Sequence, residues 1–348
     1  MTVPRRVPGL DRYSGLYLWA AFIVTFSIWR PELFPTTATV HSVASGQAVA
    51  AILGIALVVP LAAGVFDLSI GSTTNLSAIV VCELQASKHW SPWPAICVAI
   101  GVSTLIGLVN GLIVTRGKID SFIVTLGMGS IVAATQTIVS GDATPVPPTG
   151  HAWRELSQAH VLGFNVIVVY AIVLAVVVWW GLEHTPAGRY VRMTGSNREA
   201  ARLSGVRVDL YTVISLMFSG ALAGIAGVLY ASLFGPSLTF GPTLLLPAFA
   251  AAFLGSTQIR PGRYNVWGTF IAVYTLATGV QGLEFVTSAQ WLSDMFNGVA
   301  LIGAVWFAVS RRRVTVRSTL LRRWVRRPDE RPPGAGSDDD RLLTPEPG

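Results

Sequence analysis

The chain contains 348 residues, of which 52% are hydrophobic and only 12% are charged. Soluble domains carry about twice that charged fraction, so the composition excludes a large soluble domain. The net charge of +7 is spread over short loops between apolar stretches, which favours a membrane protein over a nucleic-acid-binding protein.

Apolar stretches near the length of a bilayer span predict an all-α, polytopic membrane protein with about ten transmembrane helices. A cytoplasmic segment, 1–14, is predicted to precede one transmembrane domain, 15–310. No cleavable signal is evident, so the first span is predicted to be retained. The predicted spans are residues 15–30, 43–65, 71–87, 93–115, 121–140, 164–182, 211–233, 244–257, 266–283 and 291–309.

Basic residues are unevenly divided between the two sides of these spans. With both termini in the cytoplasm, the outer loops contain only Arg30, Lys88 and Arg154, and all other arginines and lysines lie inside. The positive-inside rule therefore predicts an even number of spans with both termini cytoplasmic.

The second predicted span runs into a polar stretch, Gly64–Ser72, that contains Phe66, Asp67, Ser69 and Gly71. A carboxylate inside hydrocarbon needs a partner or a water-lined cavity, so an interrupted helix is expected here, with Asp67 capping the next segment. Two interpretations stay open, namely a hinge or pathway element and a helix cap in a tight turn.

Small and polar residues punctuate the later spans. Gly107–Gly111 and Gly220–Gly224 are GxxxG motifs, which favour close packing of helix backbones. Asn110 and Gln136 are polar residues within spans, and each is expected either to line a pathway or to bond a neighbouring helix.

A polar run, Gly195–Gly205, lies in the predicted loop 183–210. Ser196 and Glu199 have the spacing of a capping box, and Gly205 is placed to end a short helix in the left-handed conformation. Ala200 and Ala201 are expected to form a face that a partner approaches closely, with Arg202 among the surrounding charges. This short helix is interpreted as the contact with a separate motor protein.

A second interruption is expected at Leu246-Pro247, where the predicted span is short enough to be tilted, re-entrant or bent. After residue 311 the chain becomes basic and then rich in Pro, Gly and Asp. Segment 311–348 is predicted to be a cytoplasmic basic stretch with a disordered tail, the basic part being either a membrane-surface contact or simple stop-transfer charge.

Motifs of enzymatic chemistry are not found in the sequence. There is no G-x-x-x-x-G-K-[ST] loop, no H-E-x-x-H and no G-x-S-x-G, and the histidines show no metal-ligand spacing. The chain is therefore predicted to have no catalytic residue, metal or cofactor of its own, and any energy for transport is expected to enter from another chain.

Six segments of the sequence follow one another in a characteristic order. They are Phe66–Ser72, Gly107–Gly111, Phe122–Met128, Thr185–Tyr190, Asn197–Gly205 and Val266–Thr269. Together they resemble the permease subunits of bacterial ABC importers for simple sugars, the ribose, xylose, arabinose and galactoside group. The resemblance covers roughly residues 43–310, although 255–263 departs from the family pattern with Arg260, Pro261 and Arg263.

The resemblance implies a fold like that of type II ABC importers and a place in the bacterial inner membrane. It implies that Glu199, Ala200, Ala201 and Gly205 form a coupling helix that docks on an ATP-hydrolysing subunit, which would hold ATP and Mg²⁺. The other implied partners are a periplasmic or lipoprotein sugar-binding protein, a second permease copy or paralogue, and membrane lipids, with no nucleic acid.

Two alternatives remain at this stage. A secondary transporter driven by protons or sodium would use Asp67 as the coupling carboxylate and would make the loop helix incidental. An intramembrane enzyme, such as a lipid-linked sugar transferase, would need a shared constellation of acids or metal ligands.

Overall fold

The computed structural model describes residues 13–306, with the exceptions of 162, 288 and 290. Predicted segment 311–348, and segment 1–14 up to residue 12, lie outside the described residues. The described residues form helices and one short hairpin, and 291–306 are also helical. The elements are α1 Ser14–Trp29, α2 Thr37–Gly46, α3 Ala48–Ala62, α4 Ile70–Ala86, α5 Pro92–Arg116, α6 Ser121–Ser140, α7 His151–Gln158, β1 His160–Val161, β2 Phe164–Asn165, α8 Val166–His184, α9 Pro186–Ser196, α10 Arg198–Leu203, α11 Val208–Phe234, α12 Phe240–Gly255 and α13 Val266–Val286.

Each of the ten predicted spans contains a helix, which confirms an all-α membrane protein. Within the described residues, α5, α6, α8, α11 and α13 are individually long and apolar enough to cross a bilayer, and the bent pair α2–α3 is a sixth candidate. Helices α1 and α12 have 16 residues, or about 24 Å, against the roughly 30 Å of a hydrocarbon core. Among the described residues, length and hydropathy alone therefore identify six candidate spans, and the other predicted spans contain the shorter helices α1, α4 and α12 and residues 291–306.

Helix α4 falls below the hydropathy of a lipid-facing span because its first half is polar. Thr73, Thr74, Asn75 and Ser77 are all almost completely buried. These side chains contact other helices instead of lipid, and the sequence pattern of a membrane span is correspondingly weak there.

Helices α3 and α11 form the centre of the bundle. Every residue of α3 from Ala48 to Leu61 is buried, and α11 packs on α3, α4 and α5. In the most apolar 18-residue stretch of α11, 67% is buried, against 28% in the corresponding stretch of each of α5, α6 and α8. The latter three helices therefore lie at the periphery, where lipid or other chains contact them.

The GxxxG motifs bring α5 and α11 into backbone contact, as predicted. A methyl group added at Gly107 would overlap the carbonyl oxygen of Leu216, and one added at Gly220 would overlap that of Ser103. In a bilayer, such close approach supplies the packing contacts that hydrophobic burial does not.

The helix breaks match the predictions only in part. The interruption between α3 and α4 is present, since residues 63–69 are not helical. The chain also bends by 41° between α2 and α3, which was not predicted. By contrast, α12 continues through Pro247, so the predicted second interruption is wrong as a break in helix.

Candidate functional site

The loop after α8 contains two short helices, and its capping differs from the prediction. The cap of α10 is Asn197, whose side-chain oxygen accepts a hydrogen bond from the Ala200 N–H at 3.1 Å. Ser196 belongs to the last turn of α9, where its hydroxyl donates to the Arg192 carbonyl at 2.8 Å. The predicted capping box of Ser196 and Glu199 is therefore wrong. Asn197 has the extended backbone of a cap residue, and asparagine is among the most favoured N-caps.

The end of α10 follows the prediction for Gly205, which has a φ of +80°. The Gly205 N–H donates to the Arg202 carbonyl at 2.9 Å, and the Val206 N–H donates to the Ala201 carbonyl at 3.0 Å. These two bonds define a Schellman motif. Its apolar contact is supplied by Ala201, Val206 and Val208, which are buried together, so α10 is fixed to the start of α11.

Burial separates the two alanines that were expected to share a docking face. Ala201 is 2% exposed and packs inward, whereas Ala200 and Glu199 are exposed. Arg202 is also exposed and forms an ion pair with Asp209 at 3.0 Å. The predicted docking role of Ala201 therefore needs correction to a structural one, because its side chain already packs within the chain.

The outward face of α10 contains a leucine that the sequence interpretation missed. Leu203 is 88% exposed, more than any other large hydrophobic side chain in the described part of the chain. It follows the buried Ala201 by two positions, which places it about 200° away on the opposite face of the helix. That offset was readable in the sequence once the buried face of α10 was known.

The break between α3 and α4 brings together three predicted site residues, Asp67, Ser69 and Asn110. The Asp67 carboxylate is 1% exposed and accepts hydrogen bonds from the Ser69 N–H at 3.1 Å and the Ser69 hydroxyl at 2.6 Å. It also accepts from the hydroxyl of Ser219 on α11 at 2.7 Å. Asn110 on α5 donates to the Ser69 hydroxyl oxygen at 2.9 Å. Asp67 therefore bonds the N-cap residue of α4, Ser69, and also joins the break to α11.

Side-chain hydroxyl oxygens of α6 accept hydrogen bonds from backbone N–H groups of the same break. The Phe66 N–H donates to Ser121 and the Leu68 N–H donates to Thr125, both at 3.0 Å. The Phe66 ring lies 6.5 Å from the rings of Phe122 and Phe249. Non-helical backbone is tolerated within a membrane only when such partners are present.

The remaining predicted residues are Gly71 in the first turn of α4 and Gln136 on α6. Gly71 packs on the backbone of α12, where an added methyl group would lie 2.8 Å from the Gly241 carbonyl oxygen. Gln136 accepts a hydrogen bond from Asn75 and donates to the Leu238 carbonyl at 2.9 Å. Asn75, which the sequence interpretation missed, also accepts from the Gly241 N–H at 3.1 Å. This second cluster holds the loop before α12 against α4 and α6.

Arg260, which departs from the family pattern, has a partner. The Glu183 carboxylate at the end of α8 accepts hydrogen bonds from Arg192 on α9 and from Arg260 in the loop between α12 and α13. Glu183 is only 12% exposed. The ion-pair cluster therefore ties α9 to the loop that follows α12.

The described residues thus form a membrane bundle with a broken central helix and an anchored, outward-facing helix in one loop. A family model described as "Branched-chain amino acid transport system / permease component" matches residues 40–305. The match covers more than half of the chain, so the chain belongs to this family of transport permeases.

Three curated relatives are similar over most of their length. The D-allose transport system permease protein AlsC of Escherichia coli (strain K12) is 25% identical over 85% of this chain and 90% of the relative. The ribose import permease protein RbsC of Bacillus subtilis (strain 168) is 27% identical, with coverages of 85% and 91%. The autoinducer 2 import system permease protein LsrD of Escherichia coli (strain K12) is 27% identical, with coverages of 88% and 92%. These relatives confirm the resemblance indicated by the sequence.

Proposed function

We propose that this chain is the membrane-spanning subunit of an ATP-driven importer and forms, with a second copy or a paralogue, the pathway for a small sugar. The observation that supports the coupling role is α10, a helix that is anchored by Ala201 and Val206 and presents the exposed Leu203. A leucine so exposed in a polar loop is suited to a partner's pocket, where a few apolar anchors supply most of the binding energy.

The position of α10 indicates the side of the membrane on which the ATPase binds. By the positive-inside rule, the end of the bundle that contains α9 and α10 lies on the cytoplasmic side of the bacterial inner membrane, with both termini on that side. ATP and Mg²⁺ belong to the partner, and this chain itself supplies no catalytic group. In this proposal Glu199, Ala200, Arg202, Leu203 and Gly205 contact the ATPase, while Asn197 and Ala201 hold the helix in place.

The opposite end of α8 begins at the β1–β2 hairpin, which follows α7. Because α8 separates this region from α9 and α10, α7 and the hairpin face the other side of the membrane. Trp153 of α7 is buried, so α7 is fixed on the bundle. A sugar-binding protein on the outer side of the membrane would deliver its bound sugar at this face.

A sugar is favoured over a branched-chain amino acid, although the family description refers to the latter. The three relatives are named for ribose, D-allose and autoinducer 2. Within the described residues, Asp67 is the only charged side chain among those classed as buried, and its oxygens already accept three hydrogen bonds. Serine, threonine and amide groups suit a neutral, hydroxylated solute better than a zwitterion.

The alternative of an ion-coupled secondary transporter is disfavoured by family membership and by the bonds of Asp67. A coupling carboxylate must exchange its cation during each cycle, whereas Asp67 is enclosed by donors from its own segment and from α11. The anchored α10 would also have no purpose in such a protein.

Proteoliposomes that contain the permease with its ATPase and binding protein test the proposal. We expect accumulation of labelled D-ribose or D-allose that requires internal ATP, persists with a protonophore present and is not inhibited by excess leucine. Accumulation by the permease alone in response to a proton or sodium gradient would contradict the proposal and support the ion-coupled alternative.

A further inference from the structure

The last turn of α9 lies directly against the start of the break between α3 and α4. A methyl group added at Gly195 would overlap the carbonyl oxygen of Ala62 and come within 2.8 Å of the Ala63 carbonyl carbon and the Gly64 nitrogen. From the other side, a Cβ at Gly64 would lie 3.1 Å from the Gly195 Cα. Gly64 has a φ of +76°, a conformation that glycine adopts without strain. We call this contact of Gly195 with Ala62–Gly64 the glycine joint.

The other end of α9 is fixed on α8. A methyl group added at Gly188 would overlap the Leu182 carbonyl oxygen, and the side chain of Thr185 caps the first turn by accepting from the Gly188 N–H at 3.2 Å. Arg192 in the middle of α9 pairs with Glu183. Helix α9 is therefore an arm held on α8 that ends at the glycine joint and continues, through Asn197, into α10.

The break on the far side of the joint is bonded to the helices around it. Asp67 is bonded to α11 through Ser219, and Ser69 is bonded to α5 through Asn110. Phe66 and Leu68 are bonded to α6. A displacement of Ala62–Gly64 is therefore transmitted to groups that hold three separate helices.

We propose that the glycine joint transmits movement of α10 to the broken span, which makes Gly195 a positioning residue for transport. The inference rests on the proposed function, because it assumes that an ATPase moves α10. Two backbones in direct contact contain no side-chain rotamers that could absorb a displacement, so a shift of α9 passes to residues 62–64 undiminished. Energetic coupling between distant sites is carried by packed contacts of this kind.

The substitution Gly195→Ala tests the joint in the complete complex of permease, ATPase and binding protein in proteoliposomes. The quantity measured is the number of D-ribose molecules imported per ATP hydrolysed, or of D-allose if wild type imports only that sugar. Because the added methyl group cannot fit, we expect the ratio to fall about tenfold, while the permease still assembles with the ATPase through an unchanged α10. A ratio equal to that of wild type would overturn the inference, even if the rate of sugar import and the rate of ATP hydrolysis decline together.

Gly181→Ala is the matched control. Gly181 lies near the end of α8 on which α9 is held, and a Cβ added there meets nothing within 4 Å. We expect its transport ratio to equal that of wild type. A tenfold fall in the control as well would overturn the inference, because the effect would then not depend on contact with the break.

A distance measurement decides the matter if Gly195→Ala does not assemble, or if wild type imports neither sugar and the substrate proposal fails. Spin labels are attached at Ser196→Cys and Phe66→Cys, both exposed positions on the two sides of the joint, in a chain whose own exposed cysteine is removed by Cys97→Ser. We expect their separation in the assembled complex to be the same without nucleotide and with ATP plus vanadate. A separation that changes between the two states would show that the joint opens, which would overturn the inference without bearing on whether the ATPase binds α10.

Discussion

The break around Asp67 and the loop helix α10 are both short polar stretches in an apolar chain, yet they are built in opposite ways. The polar groups of the break bond inward, to α5, α6 and α11. Helix α10 buries only Ala201 among its residues and turns Leu203 outward. The first region holds the bundle together, and the second is available to another protein. Two polar stretches of this chain therefore differ in whether they bond within the bundle or present an exposed side chain.

Removal of the Asp67 carboxylate is expected to have the largest effect on stability. Asp67→Ala leaves the Ser69 N–H and the hydroxyls of Ser69 and Ser219 without an acceptor, which costs about 3 kcal/mol. Asp67→Asn keeps one acceptor oxygen and is expected to cost about 1 kcal/mol. Thermal unfolding of the detergent-purified permease measures both differences.

The same pair of variants distinguishes a structural Asp67 from an ion-coupling one. We expect Asp67→Asn to retain ATP-dependent uptake at a rate close to that of wild type. Complete loss of uptake in a well-folded Asp67→Asn complex would contradict the view that the break serves internal cohesion.

The two alanines of α10 offer the sharpest contrast between inward and outward positions. Ala201→Asp places a carboxylate among Val206 and Val208, and we expect a loss of about 2 kcal/mol through local unfolding of α10. Ala200→Asp changes an exposed position, so its effect on stability is expected to stay within about 0.5 kcal/mol. Hydrogen exchange of the α10 amides checks both variants, and equal protection in the two would refute the assigned orientation of the helix.

The capping of α10 gives a smaller effect. Asn197→Ala removes the acceptor for the Ala200 N–H and is expected to destabilise α10 by about 1 kcal/mol. Ser196→Ala removes only a bond to the preceding turn of α9 and is expected to have almost no effect. A larger loss of amide protection in Ser196→Ala than in Asn197→Ala would restore the capping box that the sequence suggested.

The smallest effect is expected at Arg260, which pairs with Glu183 and is half exposed. Exposed ion pairs contribute little, so Arg260→Gln is expected to cost less than about 1 kcal/mol. Arg192 remains bound to Glu183 in that variant and keeps α9 in place. Thermal unfolding compared with wild type provides the measurement, and a much larger loss would mean that the loop after α12 supports α9.

Much of the fold could be predicted because its signals are local. Apolar runs predicted the helices, the stretch around Asp67 predicted the break, and Gly205 predicted the end of α10. Within the described residues, not every predicted span is a long apolar helix, because α1 and α12 have 16 residues each and α4 is polar where other helices cover it. Pro247 also failed as a breaker, since α12 continues through it.

The partners within the site could not be predicted because they are distant in sequence. Ser219 lies 152 residues from Asp67, and nothing in the pattern of α11 distinguishes it from other small residues. The contact of Gly195 with Ala62–Gly64 is likewise a property of the folded bundle. On a helix of six residues, periodicity could not tell which of Ala200 and Ala201 faces inward.

The affinity of purified ATPase for the permease in nanodiscs tests whether the ATPase docks on the exposed face of α10. The comparison is between wild type, Leu203→Ser and the control Leu210→Ser, which changes an exposed leucine in the first turn of α11. Loss of an apolar anchor that contributes about 2 kcal/mol to the binding free energy raises the dissociation constant roughly 30-fold. We expect that loss for Leu203→Ser and wild-type affinity for Leu210→Ser. Unchanged ATPase affinity in Leu203→Ser would show that this leucine is not an anchor for the ATPase.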